Sequence, residues 1–269
     1  MSDPTLEVRA AGSVLHVTLN QPATRNALSA EMVRELRQVA EQAAENPAAR
    51  CIVLRGAGGN FCAGGNFDDF RKMMQSRPSP GDEDPIVSAN RDFGRMLQQW
   101  QALPQVVIAV VEGAAMGGGV GLAAVSDIVL AEAGAQFAMP EVALGLPPAQ
   151  IAPFVAARLG DACARRLALT AARIGAREAK TLGLVHEVTE GAAALEALWR
   201  ETAAAVLRGA PGALAATKAI LALRQTASLD ATLDAAAVHF SRALREGEAE
   251  AGVRAFREKR PAPWVERPQ

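Results

Sequence analysis

The hydrophobic positions of this chain change period along its length, and the changes mark its elements. Val14, Leu15, His16, Val17, Thr18 and Leu19 form a β-branched, apolar run that predicts a strand. Met32, Val33, Leu36, Val39, Ala40 and Ala43 then recur at helical spacing, with Ser29 placed as an N-cap and Pro47 beyond the end. Ile52-Val53-Leu54 reads as a short buried strand. Together these predict a βαβ unit with a right-handed crossover. Helices are expected over 67–74 and 91–101, and a fully apolar strand over 106–111. Between those helices, residues 75–85 are polar and rich in Pro and Gly, and read as a mobile loop. Short strands follow at 128–130 and 136–138, then helices over 149–159, 161–169 and 176–182, and a last strand over 185–188. From Ala192 onward only helical patterns remain, over 192–208, 211–223, 229–245 and 246–259. No internal repeat is seen. The pattern predicts an α/β core followed by an all-helical tail.

Composition narrows the picture. Of 269 residues, 50% are hydrophobic and 21% charged, which excludes a disordered chain and supplies enough apolar surface for a sizeable core. The net charge of −1 gives no electrostatic case for nucleic acid or an anionic membrane. Aromatic residues are only 4%, Tyr is absent, and Ala and Gly fill much of the hydrophobic half. Small residues permit close backbone approach, and hence a site built from backbone groups. Cys51, Cys62 and Cys163 are odd in number and widely spaced, so no disulfide framework is expected and a reducing, cytoplasmic setting fits. The polar N-terminus predicts no signal peptide, and no apolar run is long enough to span a bilayer.

Most familiar chemistry is missing. There is no Gly-x-Ser-x-Gly elbow, no phosphate-binding Gly-x-x-x-x-Gly-Lys-Ser/Thr loop and no metal-ligand spacing. His16, His186 and His239 are far apart and read as packed or surface residues, and Cys62 as a small buried thiol. Gly119-Val120-Gly121-Leu122-Ala123-Ala124 fits a dinucleotide fingerprint, with Glu141 at 20 residues' distance from Gly121. Glu141 follows two further short strands instead of ending the next one, which argues against that fold. What stands out is two glycine-rich turns, 56–66 and 113–121, each after a strand. Two converging backbone N–H groups can stabilise an oxyanion, and the second turn also opens a helix, whose dipole favours negative charge. Two plain tight turns remain the alternative from these residues alone.

The motifs resemble those of the crotonase, or enoyl-CoA hydratase/isomerase, superfamily over nearly the whole chain. The resemblance rests on Thr24-Arg25-Asn26-Ala27-Leu28, Phe61-Cys62-Ala63-Gly64-Gly65-Asn66, Gly113 to Gly119, Ser126-Asp127, Phe137 to Gly145, and Ala255-Phe256-Arg257-Glu258-Lys259-Arg260, in that order. It implies an α/β spiral of ββα units over residues 1–200. It further implies a C-terminal helical region, 201–269, that builds a homotrimer or a hexamer of paired trimers and closes the active site. It also implies an acyl-CoA thioester as ligand, with no cofactor beyond the coenzyme A carried by the substrate and no metal. Gly65 and Gly118 would supply the oxyanion amides, and Glu141 the proton-transferring carboxylate. Arg25, the Ala63 backbone and Lys259 would hold coenzyme A.

The departures bear on the reaction. Hydratases of this family use two glutamates, and the first would fall at Gly121, which cannot act as an acid or base. Asn66 stands in place of the usual Asp, which is expected to change local hydrogen bonding and not chemistry. Ala149-Gln150 replaces a glycine pair lining the acyl pocket, so Gln150 offers the substrate a polar side chain. Residues 147–154 resemble, more narrowly, hydratases of isohexenylglutaconyl-CoA from acyclic terpene breakdown. The expected activity is hydration of an enoyl-CoA, branched or terpenoid-derived. Double-bond isomerisation with the single glutamate is the close rival. An acyl-CoA-binding or structural member without catalysis is the rival from another class.

Overall fold

The structure, a computed structural model, describes residues 4–78, 81 and 84–268. Strands β1 (Leu6–Ala11) and β2 (Val14–Leu19) form an antiparallel hairpin, and helix α1 (Ala30–Ala44) leads to β3 (Cys51–Gly56). Next come α2 (Phe67–Gln75), α3 (Pro85–Ala102), β4 (Val106–Val111), β5 (Ala114–Met116) and α4 (Gly118–Val125). The chain continues through β6 (Ile128–Glu132), β7 (Gln136–Ala138), α5 (Ala152–Leu159), α6 (Asp161–Thr170), β8 (Ile174–Gly175), α7 (Ala176–Thr181) and β9 (Glu187–Thr189). Four helices close it: α8 (Ala192–Leu207), α9 (Pro211–Leu223), α10 (Leu229–Arg245) and α11 (Ala249–Arg257).

Two sheets run through the core. The larger has the order β1-β2-β3-β4-β6-β9 and is parallel apart from β1; the smaller has the order β5-β7-β8. The chain alternates between them: β4 in the larger sheet is followed by β5 in the smaller and then α4, and β6 by β7 and then α5. This is a spiral of ββα turns with a helical C-terminal region. Side chains alternate across β3, with Ile52 and Leu54 in the main core and Cys51 and Val53 on the opposite face, under Leu195, Trp199, Ala203 and Leu207 of α8. β4 is buried on both faces, which explains its unbroken apolar run.

Several boundaries differ from the pattern. β1 was not expected, because its four central residues are exposed and it reads as polar. β8 is only two residues long, too short to leave a pattern. β5 lies within the expected glycine-rich turn. α3 begins at Pro85 and not at 91, because the Asp84 side chain accepts from Ile86 N–H (2.9 Å) and Pro85 supplies a preset first turn. α5 begins at Ala152 and not at 149, because Ala149 N–H donates to Pro147 O (2.8 Å) in a tight turn. β9 starts later than 185, and α11 is shorter than 246–259 at both ends. Of the expected loop at 75–85, residues 79, 80, 82 and 83 lie outside the described residues.

Buried and half-buried charges tie helices to the core. Lys218 of α9 donates to Gln105 O and to Asp127 Oδ2, both at 2.6 Å, while Asp127 Oδ2 also accepts from Val107 N–H. Arg50, almost fully buried before β3, donates to Leu207 O (3.0 Å), Gly209 O (2.7 Å) and Trp264 O. Arg158 of α5 donates to Ala124 O and Ser126 O at the C-terminal end of α4, where a cation complements the helix dipole. No single helix among the described residues is long and apolar enough to cross a membrane. Arg50→Met keeps the side-chain bulk and removes the donors to three carbonyls, that of Leu207 buried and those of Gly209 and Trp264 half-buried. It is expected to lower stability by about 2–4 kcal/mol, read from the urea unfolding midpoint.

Candidate active site

The two glycine-rich turns meet through their backbones. Cys62 N–H donates to Ala114 O and Met116 N–H to Cys62 O, both at 2.8 Å, in a parallel bridge between Cys62 and Ala115. The close approach requires glycine: a Cβ on Gly64, whose φ is +94°, would lie 3.0 Å from Met116 O, and one on Gly119 would lie 2.6 Å from Cys62 O.

Two amides at this junction are left free. A second bridge joins Leu28 to the first turn, with Leu28 N–H donating to Gly64 O (2.7 Å) and Asn66 N–H to Leu28 O (3.2 Å). Backbone groups alternate in direction along such a segment, so the N–H of Gly65 between them points away from Leu28. Gly118 is the first residue of α4, where N–H groups have no partner within the helix. Neither amide donates to another described residue. The surroundings are apolar: a Cβ on Gly65 would overlap the Phe70 ring, and one on Gly118 would lie 2.6 Å from Leu28 Cδ1 and 3.2 Å from Phe93 Cζ. Asn66 caps α2, its Oδ1 accepting from Asp68 N–H (2.9 Å) and Asp69 N–H (3.2 Å), a role that an Asp would fill equally.

Glu141 opens a short 3-10 turn, Glu141–Leu144, directly after β7. Its carboxylate lies over Gly117: a Cβ there would come within 2.6 Å of Glu141 Oε1. Gly117 holds φ +48°, ψ −113°, a conformation open to glycine, and immediately precedes the free amide of Gly118. Glu141 Oε2 is buried with no hydrogen-bond partner, and burial raises the carboxyl pKa above its ordinary value. A carboxyl with one buried, unpartnered oxygen close to a free amide can exchange a proton with a ligand held at that amide.

Gly121 lies one helical turn along α4, fully enclosed. A Cβ there would lie 2.6 Å from Ile151 Cγ2 and 3.4 Å from Leu97 Cδ1, so apolar groups fill the space a second carboxylate would need. Ala149 is exposed in the turn before α5. Gln150 reaches across to α3, its Nε2 donating to Asn90 Oδ1 (2.8 Å). Arg25 and Ala63 are brought together: Ala63 N–H donates to Arg25 O (2.9 Å), and both line a cavity of 210 Å³ with Gly113, Met116, Gln136 and Arg173. A more open hollow of 720 Å³ has Thr24, Ser29, Arg34, Asn66 and Lys72 in its lining. Lys259 follows α11 in a left-handed conformation, and its side chain makes no hydrogen bond or ion pair with a described residue.

Other residues take the bland role expected of them. Cys62 is fully buried, and burial pushes its thiol up to about 12. His16 packs edge-on against Trp199, and His186 Nδ1 accepts from Val129 N–H; burial lowers the pKa of both. No metal-holding cluster of His, Cys, Asp or Glu occurs among the described residues. Sequence reasoning missed Asn26, which is fully buried at φ +58° and whose Nδ2 donates to Ala57 O (2.9 Å) and Asn60 O (2.7 Å), fixing the first glycine turn. Asn26 stands in the first motif of the resemblance, where no role was assigned to it. Phe70 and Phe93 were missed because only the fold sets them beside the glycines.

Comparison with known proteins identifies the family. The enoyl-CoA hydratase/isomerase family profile matches residues 9–267. An enoyl-CoA hydratase/isomerase from Marinobacter aquaeolei superposes with a TM-score of 0.94 at 44% identity, covering 97% of this chain and 99% of the other. Pseudomonas aeruginosa AtuE gives a TM-score of 0.92 at 46% identity, covering 97% and 100%. A putative enoyl-CoA hydratase from Thermus thermophilus is 33% identical over 250 residues, 93% of this chain and 96% of its own. The chain therefore belongs to the enoyl-CoA hydratase/isomerase, or crotonase, superfamily and is an acyl-CoA-processing enzyme.

Proposed function

We propose that this enzyme hydrates an enoyl-CoA with Glu141 as its one proton-transferring group. The reading is carried by the Glu141 carboxyl, whose Oε2 is buried without a partner and whose Oε1 lies over Gly117, the residue before the free amide of Gly118. The thioester oxygen accepts from the amides of Gly65 and Gly118, and the positive end of α4 adds to its stabilisation. Glu141 takes a proton from water, the hydroxide oxygen bonds to Cβ, and the π electrons move onto the thioester oxygen. The enolate then collapses, Glu141 returning its proton to Cα. One water is added in all. A single carboxylate suffices because it regains its starting state. Arg25, the Ala63 backbone and Lys259 hold coenzyme A, and the substrate brings the only coenzyme required.

Isomerisation is the second reading, favoured by the apolar wall of Ile151 and Leu97 at Gly121, which offers water no partner. Glu141 would then remove a proton from one carbon and return it two carbons along. Hydration is placed first because Gln150 lends the adjoining turn a polar side chain; the narrower assignment to a branched, terpenoid-derived enoyl-CoA rests on residues 147–154. The C-terminal region, 201–269, is assigned to assembly of a trimer or a pair of trimers. Exposed Leu233, Phe240, Leu244, Val253 and Phe256 on α10 and α11 support this.

Three outcomes are expected. In a panel of straight and branched enoyl-CoA esters analysed by mass spectrometry, turnover adds one water; deuterium uptake from heavy water without added water would establish isomerisation, and no change would leave a binding-only protein. Glu141→Gln lowers kcat by at least about 10³-fold while acyl-CoA binding persists; retained turnover would remove Glu141 from the mechanism. The same variant has a stability signature. Burial raises the folded-state pKa of Glu141, so its protonated form is favoured on folding, and stability is lost as pH rises through that pKa. Glu141→Gln, which mimics the protonated form, is thus expected to melt higher than the parent at neutral pH. That advantage should vanish below the ordinary carboxylate range.

A further inference from the structure

Helix α4 presents the Gly118 amide from a segment with no charge of its own. Its residues are Gly-Gly-Val-Gly-Leu-Ala-Ala-Val, all are buried, and Gly117 gives its N-terminus no side-chain cap. The field along this helix therefore comes from its backbone dipoles and from the groups at its far end.

That end is held by Ser126 and Arg158. Leu122 O accepts from Ser126 Oγ (2.8 Å) and Ala123 O from Ser126 N–H (3.2 Å). Arg158 Nη1, in the last turn of α5, donates to Ala124 O (3.3 Å) and Ser126 O (2.6 Å). Its Nε is buried with no hydrogen-bond partner. Ile151, at the other end of α5, fills the space at Gly121, so α5 grips α4 at two points.

The charge of Arg158 is not cancelled locally. Asp127, just beyond α4, is bonded to Lys218 Nζ at 2.6 Å. His186 Nδ1 lies 3.5 Å from Arg158 Nη2 and accepts from Val129 N–H, so it carries no proton there. Arg158 forms no ion pair with a described residue.

A helix presents about half a positive charge at its N-terminus and half a negative charge at its C-terminus. Over the eight residues of α4 these poles stand about 12 Å apart. Inside a protein the negative pole still acts at that distance and opposes an anion held at the first amide. A cation bonded to the negative pole removes the opposition and adds an attraction of its own.

We infer that Arg158 strengthens oxyanion stabilisation at Gly118 by acting through α4. It is a positioning residue, since it holds the end of the helix and makes no bond to Glu141. The inference rests on the acyl-CoA reading above and adds to it a residue outside every motif of the resemblance.

The test uses butyryl-CoA and octanoyl-CoA labelled with carbon-13 at the thioester carbonyl. Neither has a double bond to hydrate or shift, so the infrared band of the bound carbonyl is read without turnover. In the parent the band is expected to move to lower frequency on binding. Arg158→Met should undo part of that move, and Arg158→Lys should restore it. With an enoyl-CoA ester that the parent turns over, Arg158→Met should lower kcat about three- to tenfold with KM little changed, the size of one charge acting across the helix. Arg158→Gln, also neutral, is measured alongside, so that a Met variant that fails to fold leaves the comparison intact. A bound band in the neutral variants equal to that of the parent makes Arg158 a structural tie alone and overturns the inference. A Lys variant that behaves like the neutral ones overturns it as well. Failure of the parent to bind either thioester overturns the acyl-CoA reading itself.

Discussion

The pair of backbone hydrogen bonds joining Cys62 to Ala114 and Met116 is the contact on which the site depends. It draws the turn after β3 against β5, and it demands that Gly64 and Gly119 carry no side chain. From it follow the positions of Gly65 and Gly118, whose amides have no partner in the fold. Asn26 holds the first turn from beneath, and Arg158 secures α4 from its far end. The prevalence of small residues in this chain thus has a structural use. Where side chains are absent, the turn after β3 and the strand β5 approach closely enough to leave backbone donors free for a ligand.

Leaving polar groups unpaired destabilises a fold, and here the unpaired groups cluster. An unsatisfied buried donor or acceptor costs about 1–3 kcal/mol. Glu141 Oε2 carries that penalty close to Gly117, while Leu28, Phe70 and Phe93 border the unpartnered amides of Gly65 and Gly118. Burial raises the Glu141 pKa, and the apolar border of the amides strengthens any hydrogen bond they make to a thioester oxygen. At Gly121 the opposite choice has been made. Ile151 closes that space and leaves no room for a second carboxylate, and Gln150, in the turn before α5, bonds to Asn90 of α3.

The sequence revealed those parts of the fold whose signal is local. The apolar run of β4, the periodic helices α9 and α10 and the capping Ser29 could all be read directly, because each rests on neighbours in the chain. β1 could not, since an edge strand with one solvated face looks polar. The site divides in the same way. The glycine turns and Glu141 stand out as motifs. The filling of the space at Gly121 by Ile151, the bond from Gln150 to Asn90 and the role of Asn26 depend on segments distant in sequence. No local pattern encodes contacts of that kind.

The central claim is that the amides of Gly65 and Gly118 hold the thioester oxygen beside Glu141. Isotope-edited infrared spectroscopy of a bound enoyl-CoA, labelled with carbon-13 at the thioester carbonyl, tests it most directly. The Glu141→Gln variant would be used so that the ligand persists. Two converging donors polarise the carbonyl, and its stretching band should move to lower frequency on binding. A band unchanged from that of the free thioester would show that these amides do not engage it, and would contradict the account.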